Sequence, residues 1–569
     1  MFYKSFLLSN HYFGKKTTAM NFLKLLGCSA LLALLVQCSN PQETTQATGS
    51  NHQELVQFFQ DWRQFHQPKM MEGVPDYSKT AMEKRHADLK VWQERLANFD
   101  TTGWTIPEQV DWYMVWAEMN GLDFAHRVKK PWERDPAFYV WFYLNPSDVP
   151  EREGPSVFGA VEYPNYAQPL SVANAAEIQQ RLTKAEAVYA QAKTNLTGNA
   201  KDLWIAGARS IREQGEELSS FAEMVEDDYP ELAKEALNAK KAAEQFAVWL
   251  DEQAPSKTGI SGVGKENYTW NLQKVHLLPH TWESQKLMLE RELYRSHSTL
   301  RLREHHNREY PIQEKMSDAE TFKNQQNDAV TAYIKFLEEQ EIVTVKPYFD
   351  QALRNMVAPF TPEPEDGGPR GFFWEIIYRD GIVMMTHFYH WIELARLREE
   401  PYNNPIRQTP MLYNIFDSRA EGLATAMEEL MLNAGFVDDR PRSDELVWIL
   451  LAQRCARGLG ALYQHGHEKN LQEAAEFASK WTPRGLLPAN GSTIQHEEHF
   501  YLQQPSYGTS YVTGKLELDR LIAEYARQRN GNFSMKEFMD ELNQVGIIPI
   551  SLVYWEMTGD KSMLEAALK

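Results

Sequence analysis

The chain has 569 residues, a formal net charge of -19 at pH 7 and 43% hydrophobic residues. This acidic balance argues against nucleic acid or an anionic membrane face as the partner. The length is sufficient for a large core, built as one big domain or as two to three smaller ones. After Cys38 only Cys455 remains, so no disulfide framework is expected.

The N-terminal segment has the pattern of an export signal. Met20 offers a second, more natural start, and the apolar run that ends at Val36 is too short to span a bilayer. Cys38 follows this run, which predicts a bacterial lipoprotein, lipid-anchored in the cell envelope at the outer membrane or the periplasmic face. Plain secretion is the alternative. We expect residues 1–37 to be a signal segment and residues 38–52 a flexible tether.

Helical periodicity dominates the rest of the chain. Apolar residues recur at three- and four-residue steps, which predicts an all-α fold, mostly helical, with a few short strands near the active site. The best strand candidate is the aromatic and β-branched run Phe372–Tyr378. We expect an N-terminal helical region over residues 53–260 and a C-terminal region, which carries the site, over residues 261–569.

A candidate metal site follows the predicted strand. His387 and His390 lie three residues apart in a helical pattern, about 60° apart around the helix axis, so both rings can face one point. Glu421 on a later helix can complete three protein ligands, the set found in open zinc sites. Asp417 or Glu428, on the same face as Glu421, would support these ligands from outside. The sequence therefore predicts zinc as the cofactor; the alternative is a pair of buried, hydrogen-bonded core histidines.

The residue after the first histidine departs from the usual zinc hydrolase pattern. HExxH hydrolases place the general-base glutamate there, whereas this chain has Phe388. Glu393 lies about 120° from His387 around the helix, so we interpret it as a surface charge. His465 follows a long helix and is a candidate catalytic donor; the alternative is a histidine favoured there by the helix dipole.

Aromatic residues near the histidine pair predict a groove for a peptide or glycan substrate. Trp374, Tyr389 and Trp391 flank the pair in sequence, and Tyr507 lies in a later aromatic segment. Such side chains pack against peptides and sugar rings, although core packing is their commoner role.

Several short motifs, mainly in the last third of the chain, carry a resemblance to a known family. They are Glu421-Gly422-Leu423-Ala424, Glu428-Glu429-Leu430, the Arg454 and Arg457 pair, His465-Gly466-His467, the run from Pro505 to Gly514, and Gly264 to Trp270. Together they resemble the bacterial family called domain of unknown function 885, and the likeness runs from about residue 53 to the end.

The resemblance implies an exported, largely helical protein with a gluzincin-like zinc site and peptide hydrolysis as its activity. It implies that Glu421 is the retained glutamate ligand, and the retained Y-x-x-G motif begins at Tyr511, which would donate to the oxyanion of an attacked carbonyl. The chain departs from the family at the general base. The family's His-Glu pair falls on Met384-Met385 or, with a three-residue deletion, on His387-Phe388.

Three functions are consistent with the sequence. The leading interpretation is an envelope lipoprotein with a zinc-metallopeptidase-like scaffold that hydrolyses peptides slowly, because a missing base typically lowers the rate by about 10²–10⁴. The first alternative is a non-catalytic lipoprotein that binds peptides or glycans in its cleft. The second is a metal-independent polysaccharide lyase-like enzyme that uses histidine and tyrosine as base and acid.

Overall fold

The computed structural model describes residues 51–152, 154–364 and 370–569. The predicted signal segment and the predicted lipidation at Cys38 lie outside these residues. The described chain is mostly helical, which confirms the all-α prediction. Among the described residues, no helix combines the length and the apolar character needed to cross a membrane.

The helices of the first half, α1 to α12, are His52–His66, Lys79–Ala97, Ile106–Phe124, Pro131–Arg134, Val172–Leu182, Ala185–Asn195, Lys201–Val225, Pro230–Gln253, Lys265–Lys274, Trp282–His306, Ala319–Glu339 and Tyr348–Arg354. Those of the second half, α13 to α23, are Phe372–His387, Tyr389–Glu399, Pro405–Gln408, Asp417–Asn433, Ser443–His465, Leu471–Trp481, Ser492–Gln503, Tyr507–Gln528, Met535–Val545, Ile550–Thr558 and Ser562–Leu568.

Capping residues fix where many of these helices begin. The side chains of Ser171 and Asp318 accept hydrogen bonds from backbone N–H groups of the first turns of α5 and α11. Asn470 and Glu473 form a reciprocal capping box at the start of α18. Each cap satisfies an N–H group that has no partner inside the helix, so the sequence sets these boundaries locally.

The strands form two small pairs. β1 (Met70–Met71) pairs antiparallel with β2 (Val74–Pro75), and β3 (Phe142–Tyr143) pairs parallel with β4 (Val161–Glu162). The predicted strand over Phe372–Tyr378 is wrong, because that run is the first part of helix α13. Its aromatic and β-branched residues are buried in a helical core, and strand propensity is easily overridden by such packing.

Two large hydrophobic cores and two small clusters, one of them around Tyr501 and Tyr507, hold the buried apolar residues that the structure describes. The larger core joins helices α1 to α3 to the helices after residue 260, around side chains such as Trp62, Leu272 and Phe372. The smaller core lies among α5 to α8 and the segment that precedes them, around Trp141 and Trp204. The candidate site belongs to the larger core, where helix α17 is buried along nearly its whole length.

Helices α16 and α20 cross in very close contact. A Cβ added at Gly514 would overlap the carbonyl oxygen of Ser418 and lie 2.8 Å from the Cα of Gly422, while one added at Gly422 would lie 2.6 Å from the Cα of Gly514. Only residues without a side chain allow two helix backbones to approach this closely. This crossing sets the positions of Glu421 and of the tyrosines at the start of α20.

We expect the Gly514→Ala substitution to lower the free energy of unfolding by about 1–3 kcal/mol, because the new methyl group meets backbone atoms that cannot move aside easily. Gly215→Ala is the matched control, since a Cβ at that helical position meets only Lys240 Cγ, at 3.9 Å. The control should be neutral or stabilising by up to about 1 kcal/mol. Urea unfolding midpoints compare the two, and equal stability of Gly514→Ala and wild type would contradict the close contact.

Candidate metal centre

His387 and His390 are supplied by two successive helices rather than by one. Helix α13 ends at His387, Phe388 separates the two helices, and α14 begins at Tyr389. The two imidazole rings nevertheless face each other edge to face, with centroids 5.3 Å apart at an interplanar angle of 87°. The predicted convergence of the pair is present, although the predicted continuous helix is not.

Glu421 reaches the histidine pair from helix α16. One ligand atom from each of His387, His390 and Glu421 can be chosen so that all three lie within 4.8 Å of one another. His390 Nε2 lies 3.1 Å from Glu421 Oε2. Only 3% of the His390 side chain and 2% of the Glu421 side chain are exposed, against 13% for His387, so access from solvent is on the His387 side.

The geometry of this cluster fits a zinc ion. Metal–ligand bonds of about 2.1 Å in a tetrahedral arrangement place neighbouring ligand atoms ~3.4 Å apart, close to the separation of His390 Nε2 and Glu421 Oε2. Two imidazole nitrogens and one carboxylate oxygen are also a donor set typical of zinc. His387, His390 and Glu421 would hold the metal once the other two separations, which are at most 4.8 Å, contract toward the ~3.4 Å of a tetrahedral site.

Further groups support the three side chains from outside. Glu428 Oε1 lies 3.1 Å from His387 Nδ1, and the Tyr507 hydroxyl donates a hydrogen bond to Glu421 Oε1. A carboxylate beside the far nitrogen of a histidine orients the ring toward a metal. Arg454 also lies 3.2 Å from His387 Nδ1 and pairs with both oxygens of Glu428, at 2.8 and 2.6 Å, so it competes with Glu428 for that nitrogen.

The pKa values of the two histidines are shifted in opposite directions. Burial, and then the neighbouring Arg454, hold the pKa of His387 well below its ordinary value, so its imidazole is neutral. Burial also disfavours charge on His390, but the attraction of the Glu421 carboxylate outweighs it and raises the pKa of His390 to about 9. Burial likewise opposes ionisation of Glu421, and His390 outweighs it and lowers the pKa of Glu421 to about 2. Without a metal, His390 and Glu421 are thus a buried ion pair.

Tyr511 lies beside the cluster on helix α20, one turn after Tyr507. The two rings meet edge to face with centroids 5.9 Å apart. The guanidinium carbon of buried Arg457 lies 4.4 Å from the centre of the Tyr511 ring, and Arg457 also pairs with Glu497. Burial, and then Glu421, hold the pKa of Tyr511 well above its ordinary value, so its hydroxyl keeps its proton and remains a donor.

Four other predicted site residues make contacts that do not involve the three candidate ligands. His465 is buried at the far end of α17, where Nε2 hydrogen-bonds the Tyr501 carbonyl at 3.0 Å. Trp374 and Tyr389 are buried in the larger core, and Trp391 packs against it. The four side chains therefore have packing or hydrogen-bond contacts of their own, and their predicted roles stay predictions.

Glu393 is not the surface charge that helix geometry predicted. Its side chain is buried and pairs with buried Arg419 at 2.7 Å. Of the two carboxylates predicted to orient the metal ligands, Glu428 and Asp417, only Glu428 contacts one of those ligands in the described chain. Glu428 reaches His387, whereas Asp417 accepts a hydrogen bond from His276 at 3.0 Å.

The position of the missing general base is filled by hydrophobic packing. The Phe388 side chain is buried in the larger core, so a glutamate there would not reach water easily. Sequence reasoning missed Asp148, in the loop between β3 and β4, which acts electrostatically on both His390 and Tyr511. Asp148 precedes the histidine pair by more than 200 residues in the chain. No pattern in the sequence around Asp148 indicates that it lies near the site.

A large cavity of about 970 Å³ lies next to the cluster. Tyr507 and Asp417 line it, but His387, His390 and Glu421 do not. Tyr507 therefore lies between the cavity and the three candidate metal ligands. Most of the cavity wall comes from residues before 185, which the sequence did not connect with the site.

Comparisons with known proteins show similarity at the level of the fold. No protein-family model matches the chain, and no curated protein matches it by sequence. One similar solved structure is "a putative lipoprotein of unknown function from Shewanella oneidensis", with a TM-score of 0.63 and 15% identity, covering 90% of this chain and 100% of that one. Another is "the putative lipoprotein from Colwellia psychrerythraea", with a TM-score of 0.59 and 12% identity, covering 89% and 98%. The resemblance to the domain of unknown function 885 family stays a prediction.

We expect zinc affinity to rise with pH, because a metal ligand must be unprotonated and the pKa of His390 is about 9. Between pH 6 and 8.5 the zinc dissociation constant should fall about tenfold per pH unit, as one proton is released. Without zinc, the stability of the fold changes with pH in the opposite direction: it falls as the pH rises above neutral. The ion pair stabilises the fold fully between about pH 4.5 and 6.5. This contribution is lost as the pH rises through 9, where His390 loses its proton, and as the pH falls through 2, where Glu421 gains one.

Chelator competition measures the zinc dissociation constant, and thermal unfolding with and without zinc measures the two stability trends. A dissociation constant that does not change with pH would contradict the ion pair between His390 and Glu421.

Proposed function

We propose that this chain is an envelope lipoprotein that holds one zinc ion at His387, His390 and Glu421 and hydrolyses short peptides slowly. The observation that carries the proposal is the convergence of these three side chains, with ligand atoms within 4.8 Å of one another. Their outer partners, Glu428 and Tyr507, are consistent with it, because metal-binding side chains are usually oriented by such hydrogen-bonding groups.

The lipoprotein part of the proposal has two supports. One is the sequence around Cys38, where a cysteine follows a short apolar export signal. The other is the description of the two similar structures from Shewanella oneidensis and Colwellia psychrerythraea as putative lipoproteins.

The hydrolytic part of the proposal assigns a task to each neighbouring group. A bound zinc ion would supply Lewis acidity to the scissile carbonyl and to water. Tyr511 donates its hydroxyl proton in a hydrogen bond to the carbonyl oxygen as negative charge develops there. Arg457, packed on the Tyr511 ring, fixes that ring in place. Tyr507 orients Glu421, and Glu428, in competition with Arg454, would hold a proton at His387 Nδ1 when zinc occupies the other nitrogen.

The proton acceptor is the weak part of this centre, and it explains the slow rate that we propose. Glu375 pairs with Arg379 at 2.8 Å, Glu393 pairs with Arg419, and Asp417 bonds His276, so each of these carboxylates is engaged elsewhere. Asp148 also has contacts of its own, but it is the carboxylate that we propose as acceptor, because it acts electrostatically on both His390 and Tyr511. A base of this kind, held in a loop, would recover only part of the about 10²–10⁴ in rate that general base catalysis supplies.

A second candidate function is a lipoprotein that binds peptides without cleaving them. One observation favours it: the large cavity is lined by Tyr507 but by none of the three metal ligands. Zinc at the cluster would then be structural, and its removal would lower stability without affecting a chemical step.

We expect the purified protein to contain about one zinc ion per chain, and His390→Ala to lose it, because two remaining ligands are too few for a stable site. His305→Ala, at an exposed histidine of α10, is the control and should keep the metal. Elemental analysis measures zinc, and release of amino acids from tripeptides measures hydrolysis. A metal-free protein that also ignores added zinc would contradict the proposal, whereas zinc without hydrolysis favours the binding lipoprotein.

We expect Cys38→Ser to move the protein from the membrane fraction to the soluble fraction, because the lipid can no longer be attached. Mass analysis of the wild-type N-terminal fragment should show cleavage before Cys38 and a diacyl or triacyl modification. Cys455→Ser, which changes a buried cysteine far from the N-terminus, is the control and should stay with the membrane. An unmodified N-terminus beyond Cys38 would show plain secretion instead.

A further inference from the structure

The large cavity has a charge opposite to that of the whole chain. Its wall contains six cationic side chains, Arg63, Arg85, Lys129, Arg152, Arg181 and Lys184, and four anionic ones, Glu151, Glu162, Glu177 and Asp417. The whole chain carries a net charge of -19. A cationic cavity in an acidic protein attracts anionic groups and concentrates them locally.

Arg85 differs from the other arginines of the cavity wall. Arg63 pairs with Glu118 at 2.9 Å, Arg152 with Glu162 at 3.1 Å and Arg181 with Glu177 at 2.7 Å. The Arg85 guanidinium, by contrast, forms no hydrogen bond or ion pair with any residue that the structure describes, and its Nε is buried. Burying an arginine nitrogen without an acceptor is unfavourable, so an acceptor from a ligand would stabilise this position.

A second buried donor lies close to Arg85. Trp132 is 5% exposed and lines the cavity, yet its indole N–H finds no acceptor among the described residues. The Trp132 ring packs against Tyr77 and His126, at centroid distances of 6.2 and 4.8 Å. Arg85 acts electrostatically on the same two residues. Both donors therefore face one region, and a carboxylate has the oxygens to satisfy them.

The opposite charge is present elsewhere in the wall. Glu151 lines the cavity, and its carboxylate forms no ion pair with any residue in the described part of the chain. Burial, and then Glu162, raise the pKa of Glu151 to about 7, and Arg63, Glu118 and Arg152 are its other strong electrostatic neighbours. A ligand ammonium beside this carboxyl would favour its ionised form. The wall thus offers an unpaired cation and an unpaired carboxylate in different surroundings, which matches a ligand with both charges and disfavours a purely anionic one.

We propose that this cavity binds short peptides with both ends free, the terminal carboxylate at Arg85 and Trp132 and the terminal ammonium at Glu151. The volume of about 970 Å³ accommodates a ligand of that size. Aromatic wall residues such as Tyr77, Phe138 and Trp141 pack against the peptide side chains. An oligosaccharide of uronic acids would satisfy Arg85 but would be repelled by the ionised form of Glu151, which predominates above about pH 7.

The cavity and the candidate metal centre share Tyr507, which lines one and hydrogen-bonds the Glu421 of the other. A peptide held in the cavity is therefore adjacent to the cluster. Cleavage of that peptide rests on the proposed function, but its capture does not.

The test is calorimetric titration of the full protein with trialanine, in the presence of EDTA so that no zinc-dependent cleavage occurs. Trialanine should bind, and C-terminal amidation or N-terminal acetylation should each weaken binding about tenfold or more, because each removes one charged contact. Arg85→Gln should weaken trialanine binding to a similar extent and abolish the difference between the free and the amidated peptide. Glu151→Gln should abolish the difference between the free and the acetylated peptide.

Lys90→Gln is the matched control for Arg85→Gln, because Lys90 lies on the same helix α2, is exposed and does not line the cavity. Circular dichroism establishes that each variant is folded, and the modified peptides test the wild type even where a variant is not. Three results would overturn the proposal: no binding of trialanine to wild type, an unchanged effect of amidation in Arg85→Gln, or tighter binding of a uronic-acid trisaccharide than of trialanine. Zinc analysis is independent of all three, so failure of the metal centre and failure of peptide capture are distinguishable.

Discussion

The site depends on one backbone contact, the crossing of α16 and α20 at Gly422 and Gly514. Glu421 precedes Gly422 directly, and Tyr511 lies one turn before Gly514 on its own helix. A methyl group at either glycine would push the helices apart and with them Glu421 from the tyrosines. The close crossing therefore fixes the relative position of the two helices. It keeps Tyr507 near enough to Glu421 to donate a hydrogen bond to it.

A cluster of buried charges surrounds this crossing, and it is balanced pair by pair. His390 pairs with Glu421, Arg454 with Glu428 and Arg419 with Glu393, all of them nearly or completely buried. Breaking one such pair leaves an uncompensated charge, which typically costs about 3–5 kcal/mol. Replacing the proton of His390 by a metal ion keeps positive charge beside Glu421. The proposed zinc ion would therefore replace a proton without leaving Glu421 unpaired, and the pH would decide between the two.

Much of the helical architecture and the core of the site could be predicted from the sequence. Three-residue spacing brought His387 and His390 together even though Phe388 interrupts the helix, because both helices carry their histidine next to the break.

Phe372–Tyr378 could not be assigned correctly, since its residue types suit a strand and only burial in a helical core decides otherwise. Glu393 was wrongly assigned to the surface. Helix geometry gives the direction in which its side chain points, but it does not show that buried Arg419 of another helix lies there and pairs with it. The cavity was missed since residues distant in the chain form its wall.

The two cores explain why a cavity of this size persists. Leu122 and Phe124 on one wall belong to the larger core, while Trp132, Phe138 and Trp141 on the other belong to the smaller one. Each core is complete without filling the space between them, so the cavity is not a packing defect that a larger side chain would remove. Its polar groups support the same conclusion. Arg85 Nε and the Trp132 indole N–H are buried without an acceptor among the described residues. A terminal carboxylate of the proposed peptide would supply the acceptor that the chain itself does not.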